Sequence, residues 1–141
     1  MTGSEIPASL IRAYEATDYR VLGPVPFTMK IGRQSGELEA LYKRSGARTA
    51  TVITAWNPRS EKKTDAENDA AQASLIADLE RAGLAHLPAL GADPKEEWMG
   101  EVSLLVLGAT KETVEALGRK YGQNCIVWIE ADAVPVLIFL R

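Results

Sequence analysis

Apolar residues recur along this chain at two spacings, one helical and one alternating, and the chain switches repeatedly between them. Behind Pro7, which suits a first helical position, Leu10, Ile11 and Tyr14 share one face and predict a helix over 7–16. Short strands follow over 19–22 and 27–31. In the second, Phe27, Met29 and Ile31 alternate with Thr28 and Lys30, and Pro24 and Pro26 beside it suggest a sheet edge. Ser35 is an N-cap for a helix over 36–44 with Leu38, Leu41 and Tyr42 inward, and Gly46 ends it.

Residues 49–58 then read Thr-Ala-Thr-Val-Ile-Thr-Ala-Trp-Asn-Pro, a buried β-strand that stops in a polar corner. Pro58 has no N–H to donate and pushes Asn57 out of the helical region. Thr64-Asp65-Ala66-Glu67 is a capping box, in which hydroxyl and carboxylate each satisfy a free N–H, and the helix it opens runs to about 82. Its inward face reads Asn68, Ala71, Leu75, Leu79, Ala82, with Asn68 the exception to an aliphatic stripe.

A strand over 84–90 carries Pro88, a hint of an edge or bulge, before a turn over 91–94 and a polar connector over 95–100 with Trp98. In the strand over 101–107, Glu101, Ser103, Leu105 and Leu107 share one face and Val102, Leu104 and Val106 the other. Thr110 caps a helix reaching 121. The strand over 125–129 is apolar on both faces, as a central strand is, and 136–140 is a last strand. The expected fold is a single α/β (α+β) domain over 1–141, with a mixed sheet of about six strands covered by about four helices. The Trp-Asn-Pro corner lies at the carboxyl end of a central strand, where open α/β sheets tend to place binding crevices.

Composition narrows the function. At 141 residues and 46% hydrophobic the chain can build a real core. Its net charge of −3 and scattered Lys and Arg give no footprint for duplex nucleic acid. One cysteine, Cys125, excludes an internal disulfide and fits a reducing cytoplasm. With a single histidine, His86, it also excludes the common His/Cys zinc sites, so no metal or cofactor is expected. The first residues show no basic region with an apolar run behind it, so no signal peptide is expected. The longest apolar run, 133–140, is too short to span a membrane as a helix.

The chain has no phosphate-cradling Gly-rich loop and no nucleophile elbow. His86 has no orienting carboxylate near it in sequence, and Cys125, opening an apolar strand, reads as a small core residue. What remains is a set of polar residues at element ends: Asn57, Ser60, Asn68, Glu101, Ser103 and Gln123. Trp56 and Trp98 would supply a flat stacking wall. Brought together, they form a neutral pocket with one carboxylate, suited to a small polar ligand or a partner's peptide segment. Such a pocket fits binding better than hydrolysis, because paired carboxylates and metal clusters are both missing.

Two alternatives stand beside this binding or regulatory module. One is an enzyme acting on a nucleotide or amide-bearing small molecule, with Glu101 as its acid/base. The other is a structural homo-oligomer paired through the strand over 136–140. Each residue also has a plain structural role open to it: Asn57 as a turn residue, Asn68 fixing a loop backbone, Glu101 solvated or salt-bridged, Gln123 capping a helix, the tryptophans as core.

The string Thr54-Ala55-Trp56-Asn57-Pro58, then Glu67-Asn68, Gly91 and Asp93-Pro94 with Trp98, Glu101 and Ser103, and finally Leu117-Gly118 with Gly122-Gln123-Asn124, resembles an uncharacterised bacterial family, domain of unknown function 3293. The resemblance runs from about residue 14 to 129, and the Trp-Asn-Pro corner and Gly-Gln-Asn step are its most specific parts. It implies a small cytoplasmic protein of about one domain and brings no activity with it.

Overall fold

The computed structural model describes residues 6–96 and 100–141. In chain order its elements are α1 (Ala8–Ala16), β1 (Asp18–Val21), β2 (Phe27–Met29), α2 (Gly36–Ser45), β3 (Ala50–Ile53), a short 3₁₀ turn (Pro58–Ser60), α3 (Asp65–Arg81), β4 (Ala85–Ala92), β5 (Glu101–Leu107), α4 (Lys111–Lys120), β6 (Cys125–Ile129) and β7 (Val136–Phe139). Local signals set the helix starts. Ser35, Thr64 and Thr110 each accept from the backbone N–H three residues on, and Glu67 returns the bond to Thr64, completing the capping box.

All seven strands form one sheet in the order β2-β1-β4-β5-β3-β6-β7. The sheet departs from expectation in two respects. The strands number seven rather than about six, because the three-residue β2 closes one edge as a full sheet member. Every pairing is antiparallel, so the sheet is not mixed. The helical crossovers β3-α3-β4 and β5-α4-β6 do join strands that run the same way, but each pair has an antiparallel strand inserted between its members. Two interleaved crossovers of this kind are the ferredoxin-like β-α-β-β-α-β arrangement. Here it is widened by the β1-β2 hairpin on one side and β7 on the other.

Pro88 is not at an edge either, since β4 lies between β1 and β5. It is tolerated because β1 ends beside it. Val21 is the last β1 residue in register, and the Leu22 N–H donates to the Pro88 carbonyl at 2.8 Å. The turn expected at 91–94 begins later, because Gly91 and Ala92 still pair with Tyr19 and Asp18.

The alternation within the strands sorts the core into two layers. On one face Tyr19, Val21, Val52, Leu105, Val127 and Ile129 pack with Leu38 and Tyr42 of α2. On the other, Ile53, Leu104, Val106, Ile126 and Trp128 pack with Leu75 and Leu79 of α3 and Val114 of α4. Burial of such side chains contributes roughly 1.5–3 kcal/mol each. By contrast, α1 has no fully buried residue. It stands by the first face, away from the apolar cluster that α2 completes.

Candidate functional site

The corner after β3 is built on backbone geometry that few residues tolerate. Asn57, Arg59 and Ser60 all have left-handed φ, at 43°, 58° and 59°. Asparagine is the best tolerated non-glycine there. The bend is held from α3. Asn68 Oδ1 accepts the Asn57 N–H and its Nδ2 donates to Asn57 Oδ1, both at 2.8 Å. Asn57 Oδ1 also accepts the Lys63 N–H at 3.0 Å. One turn further along α3, Gln72 Oε1 accepts the Ala55 N–H at 2.9 Å.

From the other side, Gln123 Nε2 donates to the Trp56 and Tyr121 carbonyls, each at 3.3 Å, and the Arg59 N–H donates to the Gly122 carbonyl at 2.8 Å. The Trp-Asn-Pro corner and the Gly-Gln-Asn step, distant in sequence, therefore form one joint.

Beside that joint the end of the sheet opens into a cavity of about 470 Å³. This is within the usual range for small-molecule sites. Its floor follows from register. Tyr19 pairs with Gly91 and Gly91 with Glu101, so three neighbouring strands present tyrosine, glycine and glutamate in one row. Ser103, Val52, Cys125 and Val127 extend the floor, and Leu10, Ala13 and Tyr14 of α1 form another wall. Trp56, Asn57, Ser60, Lys62, Lys63 and Asp65 line the remainder. α1 is pinned by polar contacts: the Tyr14 hydroxyl lies 2.9 Å from Ser60 Oγ and accepts from Asn124 Nδ2 at 2.9 Å, while Tyr19 donates to the Tyr14 carbonyl.

Of the residues singled out from sequence, Trp56, Asn57, Ser60, Asn68, Glu101, Ser103 and Gln123 all line this cavity. Trp98 lies outside the described residues. Their polar groups are not equally free. Asn68 and Gln123 are buried and committed to the joint, and the Ser103 hydroxyl donates to the Glu101 carbonyl at 3.1 Å.

Glu101 differs. Among the described residues nothing forms a hydrogen bond or ion pair with its carboxyl, and burial pushes its pKa from 4.5 up to about 7. It is half-buried and lines the cavity. Its neighbours stay neutral. Burial, with a smaller contribution from the nearby carboxylate, lifts Cys125 to about 12, and burial raises Tyr14 and Tyr19 as well.

Sequence reasoning missed Tyr14, Tyr19 and Cys125. Tyr14 and Cys125 were apolar members of their own elements, and only the strand order puts them beside Glu101. Cys125 is half-buried on the cavity floor rather than inside the core. The described residues contain no group of three or more His, Cys, Asp or Glu able to hold a metal ion, and no helix long and apolar enough to cross a membrane.

The fold and this site define an α/β domain with a ligand-sized cavity at one end of an antiparallel sheet. A family model described as "Protein of unknown function (DUF3293)" matches residues 53–126, from the end of β3 to the start of β6, and the chain belongs to that family. No curated protein and no solved structure matches it.

Proposed function

We propose that this protein is a small-molecule-binding domain whose ligand occupies the cavity between α1 and the Trp-Asn-Pro end of the sheet. The observation that carries the reading is Glu101: a carboxyl without a partner among the described residues, raised to about 7, in a largely apolar cavity of about 470 Å³. An unpaired buried carboxyl destabilises a fold and is tolerated where it has work to do. A reducing cytoplasm remains the proposed setting, supported by the single cysteine.

Gly91 supplies the test. A Cβ there would meet only Thr17 Cγ2 at 3.7 Å, an ordinary contact, so Gly91→Val should fold while its methyl groups fill the floor. A thermal-shift screen over nucleotides, amino acids, amines and common metabolites compares the two forms. A ligand at about a hundredfold its Kd adds roughly 2.7 kcal/mol to the wild type and little to the filled variant. No shift with any compound, or equal shifts in both, would refute the reading.

Glu101 also favours a second reading, acid/base catalysis on a nucleotide or amide-bearing molecule, because a group titrating near 7 can both give and take a proton. A hit from the screen that is turned over by wild type and not by Glu101→Gln would establish it, and an unchanged hit would remove it. Self-association is supported only by β7, an outer strand with Val136 and Phe139 exposed. A strictly monomeric mass by light scattering at two concentrations would remove that role.

A further inference from the structure

We infer that the ligand carries a protonatable nitrogen on an apolar body, as an arylalkylamine does, with the nitrogen seated against Glu101. This rests on the cavity being a ligand site and adds the chemical class. Three features carry it. Gly91 stands in register between Tyr19 and Glu101, so the floor has a notch beside the carboxyl that any side chain would narrow.

Val52 and Val127 on the floor and Leu10 on the α1 wall give the cavity an apolar lining that favours an apolar body. Among the described residues no cation pairs with the carboxyl. Lys62 and Lys63 line the cavity on the loop after the corner, yet neither offsets the effect of burial on Glu101.

An anionic head entering the notch meets a carboxylate and is repelled. An alcohol or amide can hydrogen-bond but leaves the buried charge uncompensated. A protonated amine supplies both the donor and the missing counter-charge.

The groups facing Glu101 make the pH dependence simple. Tyr14 from α1, Tyr19 from β1 and Cys125 from β6 all have their pKa raised by burial and stay neutral around pH 7, and Gly91 of β4 has nothing to titrate. Lys62, Lys63 and Asp65 also line the cavity, and burial alone accounts for the raised carboxyl. Cation binding must therefore expel the Glu101 proton. Affinity for an amine should rise about tenfold from pH 6 to pH 8, following the ionised fraction of a group with a pKa near 7.

The experiment is calorimetric titration of phenylethylamine, phenylethanol and phenylpropionate into wild type, Glu101→Gln and Gly91→Val. At pH 8 the wild type should bind the amine at least about tenfold more tightly than the alcohol, with the carboxylate weakest. Glu101→Gln should lose the amine's advantage and its pH dependence while keeping the alcohol. The pH series on wild type tests the inference even without the variant. Equal affinity for amine and alcohol, or an amine preference that survives Glu101→Gln, would overturn the inference. If the alcohol still binds and Gly91→Val abolishes it, the cavity reading stands. No binding of any probe by wild type overturns the inference, and the wider screen then decides the cavity reading alone.

Discussion

Replacing Glu101 with glutamine should stabilise the protein, and only above a definite pH. Burial raises the carboxyl from 4.5 to about 7, and no partner among the described residues offsets it. Below pH 4.5 both folded and unfolded chains hold the proton, and the carboxyl imposes no charge penalty. Between 4.5 and 7 the unfolded chain releases the proton while the folded chain keeps it, so stability falls as pH rises. Above 7 both forms are ionised and the full penalty is present.

Raising a carboxyl from 4.5 to about 7 corresponds to about 3 kcal/mol, an upper figure because the carboxyl is half-buried and lines the cavity. Glutamine keeps the shape and never ionises. Glu101→Gln should therefore match the wild type near pH 4 and exceed it by up to about 3 kcal/mol at pH 8. At roughly 3 °C per kcal/mol for a chain of this size, the Tm difference approaches 10 °C. Urea and thermal denaturation of both proteins at pH 4, 5, 6, 7 and 8 measures it. The other ionisable groups are common to both and largely cancel in the difference. A constant difference across this range, or a variant less stable at pH 8, would show that Glu101 is solvated or paired.

Three further outcomes probe the joint and the floor. Asn68→Ala removes both 2.8 Å bonds to Asn57 and leaves a main-chain N–H without its partner, so urea denaturation should show a loss of about 2–3 kcal/mol. Gly122→Ala places a methyl 3.0 Å from Pro58 Cβ at a φ of 67°, and should cost about 1–2 kcal/mol in the same assay, with no loss if the Gly-Gln-Asn step is loose. Cys125, raised to about 12 from 9.0, should react with iodoacetamide at pH 8 about a thousandfold more slowly than in the unfolded chain, and Glu101→Gln should speed the reaction. A native rate within tenfold of the unfolded rate would contradict the raised thiol.

What could be read from sequence was what neighbouring residues decide among themselves. The capping box at Thr64 and Glu67 closes within four residues, and Gly46 ends α2 with a φ of 79°. Asn68 stood out because an amide on an aliphatic stripe must be satisfied, and it is. The alternation that put Glu101 and Ser103 on the face of Leu105 was equally local. Strand order was not. A helix between two strands signals that they run the same way, but not whether a third strand slips between them. That insertion turned an expected mixed sheet into an antiparallel one, and it brought β1, β4 and β5 into the row Tyr19-Gly91-Glu101. Cys125 and Tyr14 could not be assigned to a cavity before that row existed.

The polar set separates along the same line. The two amides Asn68 and Gln123 that looked like ligand readers direct their hydrogen bonds to Asn57, Trp56 and Tyr121, so a ligand recruiting them would have to dismantle the corner. Gln72 joins them through the Ala55 N–H. Their arrangement fixes three left-handed residues against Gly122 and so fixes the position of Trp56, Asn57 and Ser60 beside the cavity. Such a frame costs backbone strain that packing must offset, and strain of this kind concentrates where geometry serves a site. Glu101 is the reverse case: its local structure is an unstrained strand, and its carboxyl is left without a protein partner among the described residues. The amides hold the wall in place and the carboxyl meets what enters. Substitutions in the joint should therefore act first on stability, and substitution of Glu101 should raise stability while removing recognition.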